Sequence, residues 1–116
     1  MRVAFDIDGT LTRAEIRQLL YSLLGEANTV YILTGGIGDK PDYPSRVAQL
    51  EQLGVNRELY DGLHICMGED LNEVSRKKGE FCRDKQVHLF VDDRIENASS
   101  VKSLSPETVI LLVYGN

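Results

Sequence analysis

The chain has 116 residues with 13 basic and 18 acidic side chains, a formal charge of −5. That length holds one domain, residues 1–116, and not two ordinary ones; the acid excess argues against a generic nucleic-acid binder, which is usually basic. No apolar run approaches the ~18 residues of a membrane span, and a strand opening by residue 3 leaves no place for a signal peptide, so a cytoplasmic protein is expected, with Cys66 and Cys82 as reduced, buried thiols.

Elements alternate along the chain. An apolar stretch over about 2–7 reads as a central strand covered on both sides. A helix over 13–24 follows, with Thr12 and Glu15 spaced as a capping box and Ile16, Leu19, Leu20, Leu23 and Leu24 on one face. The second strand, Thr29 to Leu33, stops at Thr34-Gly35-Gly36, and residues 35–44, rich in Gly and Pro, read as a loop. A helix over 45–53 has Ser45 as its expected cap and Val47, Leu50 and Leu53 inward. The third strand is near Leu63 to Met67, and the third helix lies in 71–85. The fourth strand, Val87 to Val91, ends at Asp92-Asp93. A helix over 94–104, with Asp93 and Glu96 as a cap pair and Ile95, Ala98, Val101 and Leu104 periodic, leads to a last strand, Thr108 to Val113. Strands alternating with helices predict an α/β three-layer sandwich: a Rossmann-like, five-stranded parallel sheet with helices on both faces.

In such a sheet the carboxyl ends of the strands share one edge, where ligands bind. Three strands end there in polar residues: Asp6 with Asp8 after the first, Thr34 after the second, Asp92 and Asp93 after the fourth. Carboxylates crowded in a dry place repel by kilocalories per mole, so a cation is expected among them, and Mg²⁺ suits a few carboxylates plus water. At about 100° per residue, Lys78 points inward with Leu71, Val74, Phe81 and Cys82. A lysine there needs an anionic partner, either an aspartate or a bound phosphate; Gly79 beside it permits close approach. Lys77, turned toward solvent, is the fallback. His64 and His88, on strands, read as structural. Arg13 and Arg17 read as surface charges, Arg94 as the arginine nearest the aspartates, and Asp39, Lys40, Asp42 and Tyr43 as loop residues within reach of a substrate.

The chain resembles the haloacid dehalogenase superfamily of phosphohydrolases. Asp6-Ile7-Asp8-Gly9-Thr10-Leu11-Thr12 looks like that family's first motif, Ile32-Leu33-Thr34-Gly35 like the second, Lys78-Gly79-Glu80-Phe81 like the third and Phe90-Val91-Asp92-Asp93-Arg94 like the fourth. The resemblance implies that Asp6 is the nucleophile, forming an aspartyl-phosphate, and Asp8 the general acid and then the base. It implies Mg²⁺ held by Asp6, the Asp8 carbonyl, Asp92 and Asp93, and a phosphate contacted by Asp8, Gly9, Thr34, Gly35 and Lys78. Asp at position 8 favours phosphatase over dehalogenase or ATPase chemistry. Neither the 13–28 nor the 37–74 segment has room for a cap domain, so the resemblance is to the capless group. An open site admits a bulky phosphorylated substrate, whether a nucleotide, a sugar phosphate or a nucleic-acid end; otherwise a second copy of the chain or the 35–44 segment covers it. Tyr60-Asp61-Gly62-Leu63-His64-Ile65-Cys66-Met67 loosely resembles a stretch of the polynucleotide kinase 3′-phosphatase domain, although that family usually has Arg where this chain has Gly36. Two alternatives therefore accompany a general phosphomonoesterase: a nucleic-acid 3′-end phosphatase, and a catalytically inactive module that keeps the fold to bind a metal or a partner.

Overall fold

The computed structural model describes residues 1–25 and 27–114. β1 (Arg2–Phe5), α1 (Ala14–Ser22), β2 (Thr29–Ile37), α2 (Tyr43–Gln52), β3 (Gly62–Gly68), α3 (Leu71–Asp84), β4 (Leu89–Asp92), α4 (Ile95–Leu104) and β5 (Val109–Leu112) alternate along the chain. The strands form one sheet in the order β3-β2-β1-β4-β5, with every neighbouring pair parallel. This is the expected α/β sandwich. Because side chains alternate across a strand, β1 feeds both layers. Val3 and Phe5 pack with Ile16 and Leu20 of α1 and Leu50 of α2. Ala4 packs on the other face with Val74 and Cys82 of α3 and Val101 of α4. The chain runs outward from β1 to β2 and β3, then crosses back to β4 on the other side of β1. The order therefore reverses between β1 and β4, and the crevice at such a point is where ligands sit in open α/β sheets. Asp6 and Asp92 stand there.

Several boundaries differ from expectation, each for a local reason. β2 does not stop at Leu33; it continues through Thr34, Gly35 and Gly36 to Ile37, paired with β3 from Ile65 to Gly68. The glycines do not break this strand. They thin it where Val74 and Met67 press close: a Cβ on Gly35 would stand 2.7 Å from Val74 Cγ1, and one on Gly36 2.5 Å from Met67 Sδ. The expected 35–44 loop thus shrinks to a short turn. α2 then starts at Tyr43, capped by Asp42, whose carboxylate accepts from Ser45 N at 3.0 Å; Ser45 is not the cap. Nor do Thr12 and Glu15 form a capping box, since Thr12 Oγ1 accepts from Gly9 N at 3.1 Å instead. Asp93 does not cap α4 either, and Ile95, expected inward, is 62% exposed. Leu71, also expected inward, is 52% exposed beside the crevice.

Cys66 and Cys82 are buried and unbridged, and burial pushes both thiols up to about 12. His88 accepts through Nδ1 from Arg2 N at 2.8 Å, and His64 lies over Phe81, so both serve the fold. No helix among the described residues is long and apolar enough to cross a membrane. Among the described residues, a short helical turn at Ile7–Leu11 and α1 lie between β1 and β2, and α2 with one short 3₁₀ turn lies between β2 and β3.

Candidate metal and phosphate site

The site begins in the turn that follows β1. The Asp6 amide continues the sheet by donating to Val91 O at 3.0 Å, and Leu11 N then reaches back to Asp6 O at 3.3 Å. Between them Asp8 is extended and Gly9 takes φ +74°. A left-handed residue is easy only for Gly, and here a second constraint applies, because a Cβ on Gly9 would fall on the Asp93 carboxylate. The tight turn sends Asp6 inward, where it is buried, and leaves Asp8 exposed at the rim.

Lys78 meets Asp6 from α3. Its phase on the helix turns it inward with Val74 and Cys82, and it is 2% exposed. Nζ donates to Asp6 Oδ1 at 3.1 Å and to Asp92 Oδ2 at 2.8 Å. Asp92 is fully buried and further held by Asn97 Nδ2 at 3.1 Å and by the Arg94 amide at 3.0 Å. Ser75 Oγ in turn donates to Asn97 Oδ1 at 2.6 Å, which orients the amide toward Asp92. Burial alone would push the Lys78 proton off, but Asp6 and Asp92 more than offset this and hold its pKa above the ordinary lysine value. Asp6 responds differently. Burial pushes it up to about 7; Lys78 opposes the rise and the Asp92 charge adds to it. One ammonium is shared by two carboxylates, so the cluster keeps a negative charge.

Asp93 adds a third carboxylate. One oxygen from each of Asp6, Asp92 and Asp93 lies within 4.8 Å of the others. Asp93 Oδ1 is buried with no hydrogen-bond partner among the described residues, and burial followed by the Asp92 charge raises its pKa. Three hard oxygen donors, one of them unpaired, fit a hard divalent cation such as Mg²⁺.

Around this cluster lies a cavity of about 450 Å³. Thr34, inside β2, contributes Oγ1, which is buried and likewise unpaired among the described residues. A buried hydroxyl without a partner is costly to the fold, and this one faces a cavity that a phosphate oxygen could enter. Gly9, Gly35 and Gly36 line the same space, so the chain can approach a ligand closely there, while Lys40 and Arg94 bring positive charge to it. Lys77 is not part of the site: it donates to Met67 O and pairs with Glu73 at 3.6 Å. Tyr43 lies under Arg57, and Asp42 is spent on the helix cap.

Sequence reasoning missed four residues that support this arrangement. Ser75 and Asn97 are two. The others are Arg46 and Gln49, both on α2. Arg46 Nη1 donates to Asp8 Oδ2 at 2.9 Å and to Gln49 Oε1 at 2.7 Å; Nη2 donates to Gly35 O at 2.8 Å. Gln49 Nε2 donates to Asp8 Oδ1 at 2.8 Å, closing a ring. Partial burial raises the Asp8 pKa, but the Gln49 and Arg46 hydrogen bonds and the Arg46 charge outweigh it, and the carboxyl is held below the usual range. The signal for Arg46 was present. It stands four residues before Leu50 and seven before Leu53, the inward phase of α2, by the same rule that picked out Lys78.

The chain matches no protein-family model and no curated protein.

Proposed function

We propose that this chain is a Mg²⁺-dependent phosphomonoester hydrolase of the haloacid dehalogenase type, working through an aspartyl-phosphate on Asp6. The observation that carries the reading is the buried Lys78 bridging Asp6 and Asp92, with Asp93 close by, facing a cavity that also holds the unpaired Thr34 hydroxyl. A structural lysine would need one carboxylate, not a cluster of three.

Asp6, Asp92 and Asp93 would hold the Mg²⁺, which when bound neutralises charge on Asp6 and on the phosphoryl oxygens. In the first step an Asp6 oxygen attacks phosphorus and the ester P–O bond breaks. Asp8, which must first take up a proton from solvent at the rim because Arg46 and Gln49 favour its ionised form, gives that proton to the departing oxygen. In the second step Asp8 takes a proton from water, the water oxygen attacks phosphorus, and the Asp6–phosphorus bond breaks to release inorganic phosphate and the free carboxylate. Thr34 Oγ1, the Gly35 amide and Lys78 hold phosphoryl oxygens throughout, and Lys78 opposes the charge that accumulates in each transition state.

On substrate, Lys40 and Arg94 in the lining favour a leaving group that carries a second anion. Phosphorylated oligonucleotide ends, whose departing strand keeps its phosphodiester charges, therefore rank ahead of mononucleotides and sugar phosphates, whose leaving groups are uncharged. The guanidinium that polynucleotide 3′-phosphatases usually carry at the position of Gly36 cannot be accommodated there against Met67 and Lys40 O. Arg46 instead brings a guanidinium to the neighbouring Gly35 carbonyl.

The test is release of inorganic phosphate from an aryl phosphate and from a 3′-phosphorylated oligonucleotide, with Mg²⁺ or with EDTA. Turnover is expected only with Mg²⁺, and Asp6→Asn is expected to abolish it. Turnover that survived both changes would end the aspartyl-phosphate mechanism. A parent protein that binds Mg²⁺ yet releases no phosphate from either substrate would favour the non-catalytic binding module.

A further inference from the structure

We infer that Arg46 and Gln49 are positioning residues that hold the Asp8 carboxylate in place for its proton transfers to the leaving oxygen and from water, and lock the turn after β1 to Gly35 of β2. The inference rests on the phosphatase reading and adds to it two residues from an element that carries none of its four motifs.

Each Asp8 oxygen accepts one bond from α2, Oδ2 from Arg46 at 2.9 Å and Oδ1 from Gln49 at 2.8 Å. Two bonds to the two oxygens of one carboxylate fix its plane as well as its place. Arg46 and Gln49 also bond each other at 2.7 Å, so neither can swing without disturbing the other. The second guanidinium nitrogen reaches Gly35 O at 2.8 Å. One planar group thus sets the distance between the residue that moves the proton and the peptide beside Thr34.

Three features argue against an incidental surface pair. The Arg46 side chain is 9% exposed although Asp8 is 63% exposed, so the cation is held inside and its partner is presented outward. Arg46 Nε is buried without a partner among the described residues, a cost the fold bears to keep the fork in place. Arg46 also sits in the first turn of α2, where the helix dipole disfavours a cation. Stability alone would put an acid or an apolar residue there. A carboxylate left free at the rim would sample several rotamers, whereas proton transfer requires hydrogen-bond reach to the reacting oxygen.

Arg46→Met, Arg46→Lys and Gln49→Leu test this, in the parent and in an Asp8→Asn background, by steady-state and single-turnover hydrolysis of an aryl phosphate with Mg²⁺. Gln49→Leu is included because Gln49 is only half-buried and its loss should leave the fold intact. Each variant in the parent is expected to lower kcat about 10- to 100-fold with KM within about threefold. Arg46→Lys is not expected to restore the rate, since an ammonium cannot span Asp8 and Gly35 as the fork does. In the Asp8→Asn background the same changes should cost almost nothing further, because the residue they aim is already disabled. A full loss repeated in that background would overturn the inference, as would unchanged kcat in Gln49→Leu and Arg46→Met. A parent protein without phosphatase activity would overturn the underlying reading and this inference with it, an outcome distinct from an active parent whose variants are unaffected.

Discussion

Gly9 is confined to one residue type by two independent constraints. Its φ of +74° is one, and the Asp93 carboxylate lying where its Cβ would be is the other. The first would be met at modest cost by Asn, but the second by no side chain at all. Position 9 therefore links the turn that aims Asp6 to the placement of Asp93, two motifs far apart in sequence. Gly9→Ala is expected to cost about 1–3 kcal/mol of stability, the typical range for a non-glycine residue held in strained backbone. It should also weaken Mg²⁺ binding by driving Asp93 away from Asp6 and Asp92. Urea denaturation reads the first effect and calorimetric Mg²⁺ titration the second. Parent-like Mg²⁺ affinity in a folded Gly9→Ala protein would separate Asp93 from the metal.

At the scale of elements, α3 carries the cation and α4 fixes its depth. Gly79, next to Lys78, was expected to let the lysine approach its anion, but the close approach it permits is between helices. A Cβ there would stand 2.7 Å from Leu104 Cδ1 and 2.9 Å from the Ser100 carbonyl oxygen. The leucine can rotate aside; the backbone oxygen cannot. In an open helix, Gly→Ala gains about 1 kcal/mol. Here overpacking should win, and Gly79→Ala is expected to destabilise the protein by about 1–3 kcal/mol and to lower kcat by withdrawing Lys78. Thermal unfolding together with phosphate release checks both, and a variant more stable than the parent would show that α3 and α4 part freely. The same elements mark how much could be read beforehand. Lys78 was legible because helical phase is a local property; Arg46 obeys the same phase, but on a helix that carries no motif nothing in the sequence ties an inward arginine to the aspartates. The extension of β2 to Ile37 was not legible, because Gly35 and Gly36 look like a loop until the partner strand and Val74 are known to press on them. Caps misled for a related reason. Thr12 and Asp93 have the chemistry of N-caps, but Thr12 receives the Gly9 amide and Asp93 turns to the other aspartates.

The whole molecule brings three carboxylates together at one edge of the sheet. Parallel topology delivers Asp6, Asp92 and Asp93 to the same crevice, and α3 returns a single buried lysine to meet them. Within that cluster three carboxylates face one ammonium in a place with little water. The cost falls on Asp6, whose pKa rises from an ordinary 3.8 to about 7, mainly through burial. A carboxyl whose pKa is raised by folding contributes its full stability below the unfolded value. That contribution is lost as pH rises through the folded value, because the unfolded chain gives up the proton earlier. Without metal, stability should thus decline between about pH 4 and 7 on account of Asp6. Lys78 does not reverse this, since its pKa is held above the ordinary value and it stays charged across the range. A divalent cation that binds only the folded, ionised cluster stabilises by mass action, by about 2.7 kcal/mol at a hundredfold excess over its Kd. It must displace the Asp6 proton below pH 7 and need not do so above it. The rise in Tm on adding Mg²⁺ is therefore expected to be larger at pH 8 than at pH 5.5, and to shrink at both in Asp92→Asn. Scanning calorimetry with Mg²⁺ or with EDTA at the two pH values measures it directly. An equal rise at both would mean that Mg²⁺ binds elsewhere, because a cation seated on Asp6 has to compete with the proton that burial keeps there.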